Sequence, residues 1–373
     1  MDSVTQMALG ATIGVAVMGR RTAPWKAALW GALCGTLPDL DALIRYDDPV
    51  SDMTRHRSHS HALAWQTLAS PLIALLPAWL ERHNKPVRQA FGGWLLLVWL
   101  ALVTHALLDA MTVYGTQIWL PFTDHPVGLG SVFIIDPVYT LPLLVALWPA
   151  LFARRNLLAE PRARTRAWRW SLAGLAVSSA YLAWSAAVQF QVLQRVQAQL
   201  AAASGHAQTP VERVLVTPTP FNTVLWRVLV MRKDQYQEGF YSLLDAGRAV
   251  RFRSWPLDQT LLEQAREIPA VRRIAWFSRG FFRLDHKDGR VRITDLRMGQ
   301  EPFYVFSFEV ARKESLLRPV LPRSVGTRPG PETGAALRWL FNRALGADID
   351  PSGVPKPAGS EARVMIRAHR NVA

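Results

Sequence analysis

Histidine and aspartate are common ligands for zinc and similar divalent ions, and both crowd one end of this 373-residue chain. Asp39, Asp41, His56, His59, His61, His105, Asp109, His125 and Asp136 all precede residue 137. The same stretch is apolar enough to read as membrane helices, where ionisable groups are costly and a cluster of them marks a functional site. The spacing predicts a metal centre at one face of the membrane. His105 and Asp109 are four residues apart and share a helical face. Such a pair can bind one ion, or its Asp can orient the His; it can equally be a hydrogen-bonded contact between helices. His56-Arg57-Ser58-His59-Ser60-His61 places three imidazoles within six residues. Arg57 is suited to clamp an anionic group, although the stretch also reads as a polar interfacial loop. Leu37-Pro38-Asp39-Leu40-Asp41 supplies two carboxylates as ligands or as a general base, or merely a solvated helix end. Asp136 in Ile134-Ile135-Asp136-Pro137 is a ligand candidate or the cap of a helix with Pro137 at its first position. His125 reads as exposed, and His83, His206, His286 and His369 as surface residues.

The elements that must position these groups are six apolar segments: 4–19, 27–44, 62–80, 89–111, 132–153 and 168–190. Most approach the roughly 20 residues that span a bilayer, the first two being short by that measure. Basic residues follow the odd segments: Arg20, Arg21 and Lys26; Arg82, Lys85 and Arg88; Arg154, Arg155, Arg162, Arg164, Arg166 and Arg169. The positive-inside rule then makes these loops cytoplasmic. Every candidate ligand falls at the opposite, outer face, together with the C-terminal half. The cytoplasmic halves of the segments are nearly free of acids and histidines, which argues against a metal or proton transporter.

After Gln199 the pattern changes to short strands over 211–217, 223–231, 240–244, 281–286, 290–295 and 303–310, with a helix over 257–267. Asp288-Gly289 predicts a hairpin turn. The fold class expected is an all-α polytopic membrane bundle (1–195) followed by a small α+β extramembrane domain (200–318). A Pro/Gly/Arg-rich tail (319–373) carries one short helix, over 332–345, and after it the chain is expected to be disordered.

Half of the residues are hydrophobic, and 43 Lys and Arg against 28 Asp and Glu give a net charge of +15. From residue 200 onward, 27 basic residues against 17 acidic ones leave +10. Such a surface suits anionic lipid headgroups or other polyanions, or is simply a soluble face beside an anionic membrane. No nucleic-acid-binding motif accompanies it, so no specific nucleic acid is expected as partner. The single cysteine, Cys34, excludes a disulfide within the chain and a thiolate metal site. The N-terminus lacks a positive n-region and a small-residue cleavage site, and reads as a retained helix.

Met1-Asp2-Ser3-Val4-Thr5-Gln6…Gly10, Leu37-Pro38-Asp39-Leu40-Asp41, His56-Arg57-x-x-Ser60-His61 and Thr104-His105-x-x-x-Asp109 occur in order along the chain. With Thr112-x-x-Gly115-Thr116-Gln117 and Ile135-Asp136-Pro137, they resemble the bacterial family of membrane-bound metal-dependent hydrolases. The resemblance covers about residues 1–195. That family is distantly similar to zinc-dependent phospholipase C and P1 nuclease, which implies hydrolysis of phosphoesters or phospholipids. Many of its members carry His where this chain has Gln6, and the family does not fix the position of His59.

The reading reached is a metal-dependent hydrolase of the bacterial inner membrane, its site and C-terminal domain on the periplasmic side. His56, His61, His105, Asp109 and Asp136 are the expected ligands of a divalent ion, zinc first and Mn2+ or Mg2+ next. Asp39 and Asp41 complete the shell or act as base, and Arg57 holds the substrate anion. Membrane lipids are expected as partners, and a phosphoester or lipid-like molecule as substrate. The competing reading is non-catalytic: a structural metal, with the C-terminal domain as a binding module.

Overall fold

The structure is a computed structural model that describes residues 1–82, 87–152, 160–203, 210–313, 316–326 and 332–349. The expected disordered tail, 350–373, lies outside the described residues, as do His83, Lys85, Arg154, Arg155, His206 and His369.

Helices α1 (Ser3–Met18) and α2 (Pro24–Thr36) form an antiparallel hairpin held by a seam of glycine. A Cβ added at Gly10 would lie 2.2 Å from the Gly31 carbonyl oxygen, and one at Gly31 would lie 2.1 Å from that of Gly10. Gly14 and Gly35 face the partner backbone just as closely. Only glycine permits this approach, the device by which helices associate where no hydrophobic drive separates them from lipid. Pro38 stops α2, and the chain turns through a 3₁₀ segment, Pro38–Leu43. A short helix α3 (Pro49–Arg55) and a 3₁₀ turn, His59–His61, lead into α4 (Leu63–Leu80). Next come α5 (Val87–Met111), α6 (Pro137–Leu151) and α7 (Pro161–Ala203). On α4 the small residues Ser70, Ala74 and Ala78 are buried, while Leu68, Leu72 and Leu76 are exposed, as on a helix whose outer face meets lipid.

The expected polytopic all-α bundle of six spans is not what the chain builds. Among the described residues three helices are long and apolar enough to cross a membrane: Leu63–Leu80, Ala90–Met111 and Pro161–Ala203. The physical reason lies in the breaks. Pro38 cuts the second apolar run at Thr36, and Asp136-Pro137 starts the fifth one late, leaving α6 with 15 residues. Such a helix is about 22 Å long against a hydrocarbon core of roughly 30 Å. Part of the apolarity of α1, α2 and α6 serves packing inside the protein, where Val15, Ala27, Leu143 and Ala150 are fully buried, while Leu29, Leu141 and Trp148 stay exposed.

Nor is the remainder a small appendage. Among the described residues, ten strands in three antiparallel sheets make up a substantial β part. The first sheet is a meander of β1 (Val211–Pro218), β2 (Leu225–Arg232), β3 (Gln235–Ser242) and β4 (Phe252–Pro256). Helices α8 (Gln259–Ala265) and α9 (Pro269–Phe277) follow. The second sheet contains β5 (Phe282–Lys287), β6 (Arg290–Asp295), β9 (Ser307–Lys313) and β10 (Leu317–Ser324), in the order β10-β9-β6-β5. Between β6 and β9, β7 (Gly299–Gln300) pairs with β8 (Phe303–Tyr304). The turn expected at Asp288-Gly289 joins β5 to β6 with φ of 52° and 72°, the left-handed pair that such a hairpin requires. Helix α10 (Glu332–Ala344) packs through Trp339 and Leu340 onto Leu225 and Phe240.

Two features join the halves. Helix α7 runs on past Phe190, where the apolar segment was expected to end, and its buried Val188, Val192, Val196 and Leu200 form the floor under the first sheet. The segment after α5 enters the β part: Val113 packs with Leu229, Tyr236 and Leu296, and Tyr114 with Phe277 and Ile293.

Candidate metal centre

Helix α5 carries His105 and Asp109 on one face near its C-terminal end, and both are fully buried. The 3₁₀ turn after α2 brings Asp39 beside them, and the turn before α4 brings His61. Four donor atoms converge. His61 Nε2 lies 3.1 Å from His105 Nε2, 3.5 Å from Asp39 Oδ1 and 3.3 Å from Asp109 Oδ2. His105 Nε2 lies 3.5 Å from Asp39 Oδ1 and 3.7 Å from Asp109 Oδ2. Ligands about 2.0–2.1 Å from a tetrahedral centre sit about 3.3–3.4 Å apart. Five edges of the cluster bracket that value.

The hydrogen bonds behind the donors fix their chemistry. His105 Nδ1 donates to the Gly35 carbonyl at 2.7 Å, so its Nε2 presents a lone pair. Ser60 Oγ donates to Asp41 Oδ2 at 2.6 Å and sits 2.9 Å from His61 Nδ1, which leaves His61 Nε2 a lone pair as well. Asp109 Oδ2 is buried with no hydrogen-bond partner, although Arg57 Nε is 2.9 Å away. With both rings neutral, two imidazole lone pairs and two carboxylate oxygens would face one another, an arrangement that only a positive charge among them, a proton or a metal ion, makes favourable. Burial opposes a charged ring at His61, yet Asp109, Asp39 and Asp41 outweigh it and push its pKa up to about 9. Burial likewise opposes ionised Asp39 and Asp41, but their imidazole partners hold both below the usual carboxylate range. The donor set, the orphaned carboxylate oxygen and this hunger for positive charge fit a divalent ion.

Asp41 is a hub behind the cluster. It accepts from His56 Nδ1 at 2.7 Å, from the Arg57 amide at 3.0 Å and from Ser60, and it lies 3.6 Å from His61 Nδ1. To deliver that amide, Arg57 adopts a left-handed φ of 62°, a strained position for a residue with a side chain. An Asp41→Asn variant keeps the shape and loses the charge behind His61. Its zinc affinity, read by competition with a chelator, is expected to fall about 10–100-fold with the helices intact.

The structure divides the residues proposed from sequence. His61, His105 and Asp109 come together, and Asp39 joins them as a fourth donor. His56 is turned onto Asp41 and stands outside the cluster, its ring against those of His61 and Tyr114. Asp136 is not near the centre. It caps α6 through the amides of Val138 and Tyr139 and accepts from the Tyr181 hydroxyl at 2.7 Å. Arg57 is buried, with its guanidinium over the Tyr114 ring and against Asp109, so it balances charge within the centre. His59 and His125 are exposed. Sequence reasoning missed the work of Gln6, whose amide donates to Asp109 Oδ1 at 2.9 Å and to the His105 carbonyl. A polar residue among the apolar positions of α1 was the available signal. The Met1 amine also lies against Asp109 Oδ1.

A family model described as YdjM inner membrane protein matches residues 1–192, which contain the whole centre. A Bacillus subtilis (strain 168) protein named Uncharacterized protein YfhP is 27% identical over 162 residues, or 40% of this chain and 47% of that relative. The chain thus spans about half the length of that relative. No solved structure matches. These matches support a bacterial inner-membrane protein and carry no likeness to a hydrolase, phospholipase C or P1 nuclease.

Proposed function

We propose, for a chain that belongs to the YdjM inner membrane protein family, a membrane-bound metal-dependent hydrolase acting on a phosphoester or lipid-like substrate. Asp39, His61, His105 and Asp109 hold one divalent ion, zinc before Mn2+ or Mg2+, because two imidazole nitrogens favour zinc over the harder ions. The observation that carries this reading is the convergence of four buried or half-buried donors, with five of their mutual distances between 3.1 and 3.7 Å. Bound there, the ion supplies Lewis acidity that polarises a phosphoryl oxygen and activates water. Asp39, the partly exposed member, forms the open edge of the cluster. His56, whose Nδ1 lies 2.7 Å from Asp41 Oδ1 and whose ring meets that of His61, offers its Nε2 as the general base. Arg57 Nε, 2.9 Å from Asp109 Oδ2, orients that carboxylate. The arginine-rich ends of the helices face the cytoplasm by the positive-inside rule, and the centre and β part face the periplasm.

A second reading has one observation in its favour: the protein already offers four donors, the number that a closed structural zinc site uses. Elemental mass spectrometry of the detergent-purified chain, paired with hydrolysis assays on phosphatidylglycerol and bis(p-nitrophenyl) phosphate, separates the two. The hydrolase reading expects about one zinc per chain and turnover that disappears in His105→Ala. Stoichiometric zinc without turnover, with a melting temperature that collapses on chelation, would establish the structural role. No metal even after zinc addition would end both.

A further inference from the structure

The basic surplus of the C-terminal half has no part in the metal centre, and one place in the β part concentrates it. A cavity of about 540 Å³ opens between the β1–β2 edge, the start of α8, the turn after α9 and the loop carrying His125. Arg213, Arg232, Lys233, Arg279 and Arg283 line it, against the carboxylates of Glu212 and Asp258. We infer that this cavity is an anion site for a phosphate-bearing ligand, either a lipid headgroup or a free phosphate ester. It shares no residue with the metal centre and does not depend on the hydrolase reading.

Three observations carry the assignment. First, although Arg283 is engaged by Glu301 and Asp285 and Arg232 by Gln237, the carboxylates that line the cavity do little to offset Arg213, Lys233 and Arg279. Glu212 reaches Arg213 at 3.5 Å with both side chains about half exposed, a contact of little strength. Asp258 is engaged in capping α8 through the Leu261 amide. Second, Arg279 is held against its own preferences. Its φ is 56°, its Nη2 donates to the Gly128 carbonyl at 2.7 Å, and its buried Nε has no acceptor. Burial and the neighbouring Arg297 push the guanidinium below its ordinary pKa, against a weaker pull from Asp295. A cation so placed lacks an anion. Third, the backbone is cut away to seat a second guanidinium there. Gly280 follows at φ 81°, and a Cβ on it would lie 2.9–3.1 Å from the guanidinium group and Nε of Arg213. Two forked, always-charged donors against one cavity match a phosphate better than a point charge would.

The walls between these cations include Leu257, Leu262, Trp276 and Phe282, so the ligand has an organic portion beside its phosphate. His125 comes from a loop whose Phe122 is 85% exposed and whose Trp119 is half exposed. Exposed aromatic residues of this kind anchor at the membrane–water interface, which sets the cavity within reach of headgroups.

The test uses the full chain in neutral detergent. Inorganic phosphate, sn-glycerol 3-phosphate, dihexanoyl phosphatidylglycerol and dihexanoyl phosphatidylcholine are titrated separately by calorimetry. Zinc content and melting temperature are recorded as controls for folding. Saturable binding of a phosphate probe is expected, weakened about tenfold or more in Arg213→Glu/Lys233→Glu and unchanged in Arg318→Glu on β10. Binding of phosphatidylglycerol alone identifies the headgroup as the source, whereas equal binding of glycerol 3-phosphate identifies a soluble ester. Arg279→Gln, which removes the charge but keeps a polar side chain, should lose affinity without losing zinc. The inference is overturned if no phosphate probe saturates, if the double variant binds like the parent, or if phosphatidylcholine binds as well as phosphatidylglycerol.

Discussion

An Asp109→Asn variant is expected to leave the membrane with almost none of the parent's zinc, its affinity lowered by about 100-fold or more. Loss of an outer-shell partner typically costs 10–100-fold, and Asp109 is closer than that. Its Oδ2 is the orphaned oxygen 3.3 Å from His61 Nε2, and its Oδ1 is held by Gln6. An amide is nearly isosteric, so the fold should survive, but it removes one of the two carboxylate charges in the donor set. It also leaves Arg57 buried without its counterion, so a modest fall in melting temperature should accompany the metal loss. The measurement is zinc per chain after dialysis against a weak chelator, with circular dichroism to confirm helix content. Retention of stoichiometric zinc by this variant would remove Asp109 from the ligand set and the four-donor centre with it.

The second large effect is expected far from any ionisable group. Gly31→Leu should prevent the helical part from assembling, seen as loss of monodisperse protein on gel filtration of detergent extracts. The Cβ alone would stand 2.1 Å from the Gly10 carbonyl oxygen, so the α1–α2 hairpin must open. Overpacking ordinarily costs 1–3 kcal/mol, and a clash of backbone on backbone should exceed about 3 kcal/mol. The damage would reach the metal centre, because the Gly35 carbonyl on the same seam fixes the His105 tautomer. Gly31→Ala meets the same close atom with less bulk beyond it and should give a partial loss of both yield and zinc. A leucine variant that assembles and melts like the parent would show that the seam is not what holds these helices.

What was legible in the sequence follows from range. His105 and Asp109 are local to one helix, and their four-residue spacing announced them. Asp39 and His61 stood out as ionisable groups next to apolar runs. The division of labour around Asp41 was not legible, because His56 and His61 are near-identical in local sequence and differ only in which carboxylate each meets in space. Asp136 shows the same limit. Asp before Pro suits a ligand and a cap equally well, and the Tyr181 hydroxyl that completes its shell comes from 45 residues away. The count of membrane helices failed for another reason. Apolar composition marks burial in protein and burial in lipid alike, and the breaks that shorten α2 and α6 come from single prolines that composition does not weigh. In the β part the Asp288-Gly289 turn was plain, whereas β10, interrupted by Pro319 and Pro322 and lying at a sheet edge, carries a weak local signal.

Helix α7 has a further consequence. One uninterrupted rod carries Gly174 and Ser178 against α6 and Val188, Val192 and Val196 beneath the first sheet. Each residue in a helix turns it by about 100° and lengthens it by about 1.5 Å. The linkage between the two halves is therefore one of phase. A single-residue deletion between Ser185 and Val188 would swing the sheet about a quarter-turn off the loop that bears Val113 and Tyr114, while an insertion of seven residues, close to two whole turns, would restore the angle at a cost of height. Sequence change in this stretch is constrained by angular arithmetic, and the rod transmits rotation as faithfully as it transmits distance.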